Sequence, residues 1–367
     1  MGKNSNLHQA KKNKNDEFYT QLTDIEKELV HYVDFFEGKT VYCNCDDARE
    51  SNFFKYFSNR FEELGLKKLI ATGYKENGHG VLLVYEGDKN GNRCVDDEEI
   101  KVTELQGDGD FRSDECIEFL KEADVVVTNP PFSLFREYVK QLMDYEKKFL
   151  ILSNNNAITF KDFFPYIKNN KVWLGRTLFT GKMPFFKVSD DYPLENQRFE
   201  RREDGLYKQV NSICWFTNIP NDAKREVLSI YKKYHGYESE YPTYDNYNAI
   251  ECERIANLPI DLAIGSVVGV PITALKYLWS DGYLYFDDGG ENSQTYEIEK
   301  FRKGNDDKDL SYIRERERES HTVLQNTYQT YQIVGLDRYI AGNHYPNKRM
   351  FINNKEIYAR IIIKRIK

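Results

Sequence analysis

Short apolar runs alternate with helically spaced apolar residues through the first part of this chain, and this alternation limits the possible folds more than any other feature. Four runs predict strands, at residues 40–43, 68–72, 125–128 and 148–152. The intervening segments predict helices, at residues 23–37, 52–64, 113–121 and 134–145, with Ser113 as the N-cap of the third. Residues 81–85 and 100–105 predict a hairpin around a Gly/Asn/Asp turn. The pattern is typical of an α/β fold with a doubly wound parallel sheet.

The pattern loosens after residue 160. Strands are predicted at residues 171–174, 183–188 and 212–216. Between the last two, residues 191–208 are strongly charged and are expected to form a surface loop.

The composition changes again near residue 220, after which the chain is rich in Tyr, Asn and turn residues, with apolar islands at residues 262–273 and 331–335. Residues 281–330 carry an alternating charge run, which is typical of a solvated face or an insertion. We therefore expect a first domain over residues 1–219, beginning with a flexible basic arm at 1–15. A second domain over residues 220–367 would contain the insertion.

Charge and composition exclude several classes of protein. The net charge of −7 argues against a uniformly basic nucleic-acid binder, although basic clusters at both termini leave local anion binding open. No apolar run approaches the roughly 18 residues that cross a bilayer, and the polar N-terminus is no secretory signal, so we expect a cytoplasmic protein. The closest cysteines, Cys43 and Cys45, have poor zinc spacing, and no metal site is expected.

Asn129-Pro130-Pro131-Phe132 directly follows the apolar strand at residues 125–128. Ligands in open α/β sheets bind beyond the carboxyl ends of the strands. The Asn129 side-chain oxygen and the Pro130 carbonyl could accept both N–H bonds of an exocyclic amino group, and Phe132 could stack on the base. The prolines would fix the direction of the carbonyl. The alternative is a strand-terminating turn with a packed Phe.

A second polar loop, ending in Asp46-Asp47, follows the first strand. Its carboxylates could receive the amino group or ribose hydroxyls of a nucleoside-like cofactor, or could cap the following helix. The loop lacks the glycines with which NAD and ATP sites approach phosphates, but S-adenosylmethionine carries no phosphate.

Two further segments fit a cofactor site. In one, Asp110 could take the amino group of the cofactor adenine while Phe111 packs on its ring. In the other, Tyr19-Thr20 precedes the first helix, where a hydroxyl and helix N–H groups could bind a carboxylate. Each segment alone is more often structural.

Several strings together resemble the EcoRI-type adenine-specific DNA modification methylases. They begin at Lys14, Tyr42, Ser51, Gly109 and Val125, and the similarity returns near Trp215 and Gly269. The resemblance implies a Rossmann-like methyltransferase sheet, S-adenosylmethionine as donor, and N6 methylation of adenine in a short double-stranded site. By the same resemblance, Asn129, Pro130, Pro131 and Phe132 bind the target base. The cofactor residues are Tyr19, Thr20, Asp46, Asp47, Asp110 and Phe111.

The resemblance also implies a restriction–modification system with a possible cognate endonuclease, and we expect a monomer. The C-terminal region, expected to be α+β, would recognise DNA together with Arg176, Lys182 and residues 198–202. The second strand ends without the usual ribose-binding acid, for which Glu76 is the candidate. The alternatives are the same chemistry on RNA adenine or protein glutamine, or an inactive DNA-binding homologue.

Overall fold

The structure of this protein is a computed structural model. It describes residues 19–45, 47–75, 77–178, 184–188, 192, 194, 198–221, 227–245, 248–287, 328–336, 351–353, 355–356 and 360–366. The chain divides into two compact units, with the change between residues 224 and 225 and with residues 168–170 belonging to the second. Across these described ranges, no helix is long and apolar enough to span a membrane.

An eight-stranded sheet forms the body of the first unit, in the order β4-β3-β2-β1-β5-β6-β11-β7. Its strands are β1 Thr40–Cys43, β2 Lys68–Gly73, β3 Val81–Tyr85, β4 Lys101–Glu104, β5 Val125–Thr128, β6 Lys148–Asn154, β7 Trp173–Leu178 and β11 Ile213–Thr217. The associated helices are α1 Leu22–Leu29, α2 Asn52–Asn59, α3 Asp114–Glu122, α4 Phe135–Asp144 and α5 Phe164–Lys168. The four predicted central strands are confirmed.

The predicted doubly wound sheet is present as a mixed sheet, which fits a Rossmann-like methyltransferase fold. β2, β1, β5 and β6 run parallel, while the flanking pairs β3–β4 and β11–β7 join antiparallel. Only β3 and β11 run against the others, so β4 and β7 again point the same way as the central four, with α3 following β4 and α5 preceding β7.

Local polar groups set the ends of the helices. Ser113 caps α3 as predicted, because its hydroxyl accepts a hydrogen bond from the Cys116 N–H at 3.2 Å. Ser51 caps α2 in the same way through the N–H of Phe53. The predicted helices at residues 23–37 and 52–64 are shorter than expected: α1 ends at Leu29, before a 3-10 turn at Val33–Phe35, and α2 ends at Asn59.

The predicted surface loop at residues 191–208 is also wrong over its described part. Phe199–Arg202 (β9) and Gly205–Gln209 (β10) form a three-stranded antiparallel sheet with β8, Phe185–Val188. β9 was not predicted as a strand because most of its residues are charged, as suits an exposed edge strand. In β10, Lys208 is buried, with its ammonium 2.5 Å from the Tyr192 hydroxyl, so a charged residue occupies a core position.

A buried carboxylate holds α1 against the edge strand β7. Glu28 is fully buried and accepts hydrogen bonds from the N–H groups of Arg176 (2.8 Å) and Thr177 (2.5 Å) and from the Tyr32 hydroxyl (2.9 Å). Burial raises the pKa of Glu28, and these hydrogen bonds oppose that rise. A polar residue thereby completes the hydrogen bonding of an edge strand.

The second unit contains a six-stranded sheet in the order β12-β15-β16-β19-β14-β13. Its strands are β12 Leu228–Ser229, β13 Ile250–Glu251, β14 Val267–Pro271, β15 Tyr283–Asp287, β16 Tyr328–Leu336 and β19 Arg360–Arg365, beside a β17–β18 hairpin of Phe351–Ile352 and Lys355–Glu356. Its core pairings are antiparallel, and 3-10 helices occur at Glu238–Glu240, Ile255–Asn257 and Ile272–Tyr277. The ends of the predicted insertion at 281–330 form β15 and the start of β16, and residues 288–327 lie outside the described ranges.

Candidate active site

The two polar loops that follow β1 and β5 lie side by side. β1 pairs with β5 through Val41–Val125 and Tyr42–Val126, and its other neighbour is β2. The strand order therefore reverses between β1 and β5, which makes their carboxyl ends a topological switch point, the usual ligand crevice of an open α/β sheet. Topology alone thus brings Asn129–Phe132 next to the loop after Cys43.

The turn after β5 is anchored in the core at its start and open at its end. Asn129 and Pro130 are buried, whereas Phe132 is half-buried and packs against the main core. The Pro131 carbonyl accepts the Leu134 N–H at 2.9 Å, and α4 begins directly afterwards at Phe135. Within the described residues, no group donates to the Pro130 carbonyl.

The loop after β1 is tied to the turn by its first residue. Asn44 is buried, and its backbone carbonyl accepts a hydrogen bond from the hydroxyl of Thr128, the residue before Asn129. Cys45 follows with a positive φ of 71°, which reverses the chain direction.

Asp47 organises the rest of this loop. Its carboxylate accepts the Arg49 N–H at 3.0 Å, and its carbonyl accepts the Ser51 N–H at 2.8 Å. The N-cap of α2 is Ser51, so the alternative interpretation of Asp47 as that cap is wrong. Asp46 lies outside the described residues, as does Glu76, the candidate ribose ligand.

The loop carrying Asp110 and Phe111 packs tightly against the end of β2. A Cβ on Gly109, which has φ +83°, would lie 2.4 Å from the Gly73 carbonyl oxygen. A Cβ on Gly80 would lie 2.6 Å from the same oxygen. These backbones approach more closely than any residue with a side chain allows.

Within that loop, Asp110 and Phe111 already have protein partners. The Asp110 carboxylate pairs with the Arg112 guanidinium through two contacts of 2.8 and 2.5 Å. Phe111 is buried, with its ring edge-on to Tyr138 at 5.0 Å. The adenine of a cofactor bound here would therefore contact a carboxylate that is already ion-paired with Arg112 and a Phe111 ring that already packs against Tyr138.

Tyr19 and Thr20 link the small sheet to the start of α2. Tyr19 forms an isolated bridge with Lys187 on β8, and the Thr20 carbonyl accepts a hydrogen bond from the Asn52 side chain at 2.7 Å. The Thr20 hydroxyl is buried and has no hydrogen-bond partner in the part of the chain that the structure describes. A buried hydroxyl in this state fits a ligand that supplies an acceptor such as a carboxylate.

Sequence reasoning missed the residues that connect these loops. The Tyr138 hydroxyl donates to the Asn44 side-chain oxygen, and Gln141 donates to the Phe111 carbonyl at 3.1 Å. Tyr138 has the helical spacing of a core residue. Asn44 lies within the string beginning at Tyr42 that resembles the methylase family, but no role was assigned to it. Their only sequence signal was their position next to the motifs.

The predicted DNA-contacting residues have differing surroundings. Arg202 pairs with Glu200 at 3.2 Å and lies over the Tyr207 ring at 4.1 Å, whereas Arg198 is exposed. Arg176 is half-buried, and its backbone N–H contacts Glu28. Lys182 lies outside the described ranges.

Comparisons with known proteins show the family of the chain. The family model described as adenine-specific methyltransferase EcoRI matches residues 6–366. The type II methyltransferase M.EcoRI of Escherichia coli is 48% identical over 320 residues, covering 84% of this chain and 92% of that protein.

Two mycoplasma proteins are also similar. M.MpnI, a type II methyltransferase of Mycoplasma pneumoniae, is 37% identical over 361 residues, covering 98% of this chain and 97% of that protein. M.MgeORF184P of Mycoplasma genitalium is 38% identical over 273 residues, covering 74% and 82%. No solved structure matches the chain.

Proposed function

Because this chain belongs to the family of EcoRI adenine-specific methyltransferases, we propose that it methylates N6 of adenine within a short double-stranded DNA site. The methyl donor is S-adenosylmethionine, and the enzyme works in a restriction–modification system, as the names of its type II relatives suggest. The observation that carries the proposal is the junction of β1 and β5. There the Asn129–Phe132 turn and the loop at Asn44 share one edge of the sheet.

The donor would be held by the loops around this junction. Thr20 offers a buried hydroxyl to the carboxylate of the methionine part, and Tyr19 lies beside it. Asp46 and Asp47 are suited to the ribose or amino groups, and Asp110 and Phe111 to the adenine. When bound, S-adenosylmethionine supplies an electrophilic methyl group on a sulfonium.

The residues of the turn prepare the target nitrogen. The lone pair of an adenine amino nitrogen is delocalised into the ring. The Asn129 side-chain oxygen and the Pro130 carbonyl accept its two N–H bonds and draw the nitrogen toward tetrahedral geometry. Methyl transfer releases the donor as its thioether, S-adenosylhomocysteine, and leaves a cationic methylated nitrogen that then loses one of its two protons, so no strong base is required, and the carbonyl acceptors can pass that proton to solvent. Phe132, half-buried at the mouth of the turn, stacks on the base.

Adenine in a duplex reaches this turn only if it leaves the helix, so the proposal includes base flipping. The second unit serves as the DNA-recognition region, and Arg198 and Arg201 on the small sheet contact phosphates. DNA affinity should then fall steeply with salt despite the acidic net charge. We further propose a cytoplasmic monomer that forms no stable complex with the cognate restriction endonuclease of the same system.

The test gives the purified protein labelled S-adenosylmethionine with duplex DNA, RNA and protein substrates in parallel. The proposal predicts label in duplex DNA alone, as N6-methyladenine at one short sequence when the DNA is sequenced. Label in RNA adenine or protein glutamine would select the alternative substrates. Tight DNA binding with no donor binding in calorimetry would select an inactive homologue.

A further inference from the structure

We propose that Tyr138 is a positioning residue. It sets the distance between two methyl-donor loops, the loop after β1 and the loop at residues 109–111, and the target-base turn at residues 129–132. The inference rests on the proposed function and deepens it. Tyr138 lies on α4, the helix that begins immediately after Asn129–Phe132. It is fully buried, so its role is exerted through neighbouring residues.

Tyr138 contacts both donor loops. Its hydroxyl donates to the Asn44 side-chain oxygen in the loop after β1. Its ring packs edge-on against Phe111 in the loop after β4, with centroids 5.0 Å apart and planes at 81°. One side chain therefore fixes two cofactor-facing segments that are separated by more than sixty residues of sequence.

The remaining contacts of α4 reinforce this arrangement. Gln141, one turn after Tyr138, donates to the Phe111 carbonyl at 3.1 Å. Glu137 accepts from the Arg112 guanidinium at 3.3 Å, although this pair is exposed and contributes little. α4 thus contacts the segment at residues 110–112 through Glu137, Tyr138 and Gln141.

A second hydrogen bond joins Asn44 to the strand that precedes the target-base turn. The Asn44 carbonyl accepts the hydroxyl of Thr128, the last residue of β5 and the neighbour of Asn129. Asn44 is therefore held from the turn side by Thr128 and from the helix side by Tyr138. Loss of the Tyr138 hydroxyl would leave the Asn44 side-chain oxygen with only the weak Cys45 thiol contact at 3.6 Å among its described side-chain partners, while the ring of residue 138 stays packed.

A bond of this kind affects the rate at saturation more than the affinity. Each loop keeps its own binding groups, but the donor carbon and the acceptor nitrogen lose their relative alignment. Methyl transfer needs the reacting atoms roughly 3–3.5 Å apart and aligned, and a misplacement of about 1 Å can lower the rate about 100-fold.

The test compares Tyr138→Phe with Tyr42→Phe. Both tyrosines are fully buried and hydrogen-bonded through their hydroxyls, but the Tyr42 hydroxyl bonds Thr72 and so ties β1 to β2 rather than a loop to α4. We expect Tyr138→Phe to lower both kcat and the single-turnover rate constant of methyl transfer by at least about tenfold. The Kd values for donor and duplex should stay within about threefold of wild type. Tyr42→Phe should stay within about twofold of the wild-type kcat while losing similar stability.

Wild-type kcat in Tyr138→Phe, or equal kcat losses in both variants, would overturn the positioning role. If Tyr138→Phe does not fold, Thr128→Val removes the other bond to Asn44 and should give the same loss of kcat with retained affinities. Unchanged kcat in Thr128→Val would likewise overturn it. A wild-type protein that does not methylate duplex DNA would instead refute the proposed function.

Discussion

The carboxyl edge of the first unit and the sheet of the second unit are organised by different rules. In the first, six of the eight strands run in one direction and end on one side, so loops distant in sequence meet there, as Asn44 and Asn129 do. In the second, the core strands run antiparallel, so no edge collects their ends. Its most distinctive polar group is instead a buried cluster in which Tyr244 and Arg360 bond Glu251.

This difference explains why one region can be interpreted from short motifs and the other cannot. A motif at the end of a parallel strand lies at the edge of the sheet where ligands bind. An antiparallel sheet has no such preferred edge, so a short motif does not indicate where a ligand would bind. If the account is correct, damage to the first edge should change chemistry or donor binding. Damage to the second unit should change DNA binding instead.

The largest effect is expected from Asn129→Ala. Loss of one of the two acceptors should lower kcat by about 10²–10³-fold or more, as for other preorganised hydrogen-bonding groups. Donor affinity in calorimetry should stay close to wild type. Asn59→Ala, which removes an exposed side chain bonded to the Lys55 carbonyl, serves as control. Near-wild-type activity in Asn129→Ala would refute the role of the turn.

Arg360→Met tests the second unit. Arg360 and Glu251 form a nearly buried ion pair at 2.7 Å, so removing one partner should cost about 3–5 kcal/mol in the free energy of unfolding of that unit. We expect weaker DNA binding with unchanged donor affinity. Arg60→Met breaks the solvent-accessible pair with Glu63 and should cost at most about 1 kcal/mol. Impaired donor binding in Arg360→Met would contradict the division of roles.

Gly109→Ala tests the close packing beneath Asp110 and Phe111. The new Cβ would meet the Gly73 carbonyl, so we expect a stability loss of about 1–3 kcal/mol and roughly tenfold weaker donor binding. Gly91→Ala is a matched control, because Gly91 has a similar φ of +77° but nothing within 4 Å of the new Cβ. Thermal unfolding and calorimetry of both variants separate packing from backbone strain, and equal effects would show that the contact with Gly73 is unimportant.

The smallest expected effect is the pH dependence contributed by Glu28. Its pKa is raised above 4.5 in the folded state, so the native protein binds this proton more tightly than the unfolded chain. Stability from this group is therefore lost as pH rises from 4.5 through the folded-state pKa.

Glu28→Gln has no such proton. Its unfolding free energy minus that of wild type should be larger well above the folded-state pKa of Glu28 than near about pH 4. Glu63→Gln should show the opposite sign, because Arg60 lowers the pKa of Glu63. Urea titrations of the three proteins at several pH values measure these unfolding free energies. Parallel pH profiles for wild type and Glu28→Gln would contradict the raised pKa of Glu28.

The sequence allowed the centre of the first unit to be predicted because its signals are local. The apolar runs at β1 and β5 and the Ser113 cap follow from residue type and spacing. β9 was missed because it is an exposed, charged edge strand, and β10 because Lys208 is buried against Tyr192, a tertiary contact that no local pattern indicates. Tyr138 was missed for a related reason, since its core spacing gives no sign of the bond to Asn44.

The central claim is that one edge of the sheet, at β1 and β5, holds both the methyl donor and the target adenine. A structure of the protein with duplex DNA and a non-transferring analogue of S-adenosylmethionine tests it directly. We predict an extrahelical adenine with N6 about 2.7–3.2 Å from both the Asn129 side-chain oxygen and the Pro130 carbonyl. The donor analogue should contact the loop after β1. An adenine amino group bound elsewhere, or a donor analogue at another edge of the sheet, would contradict the account.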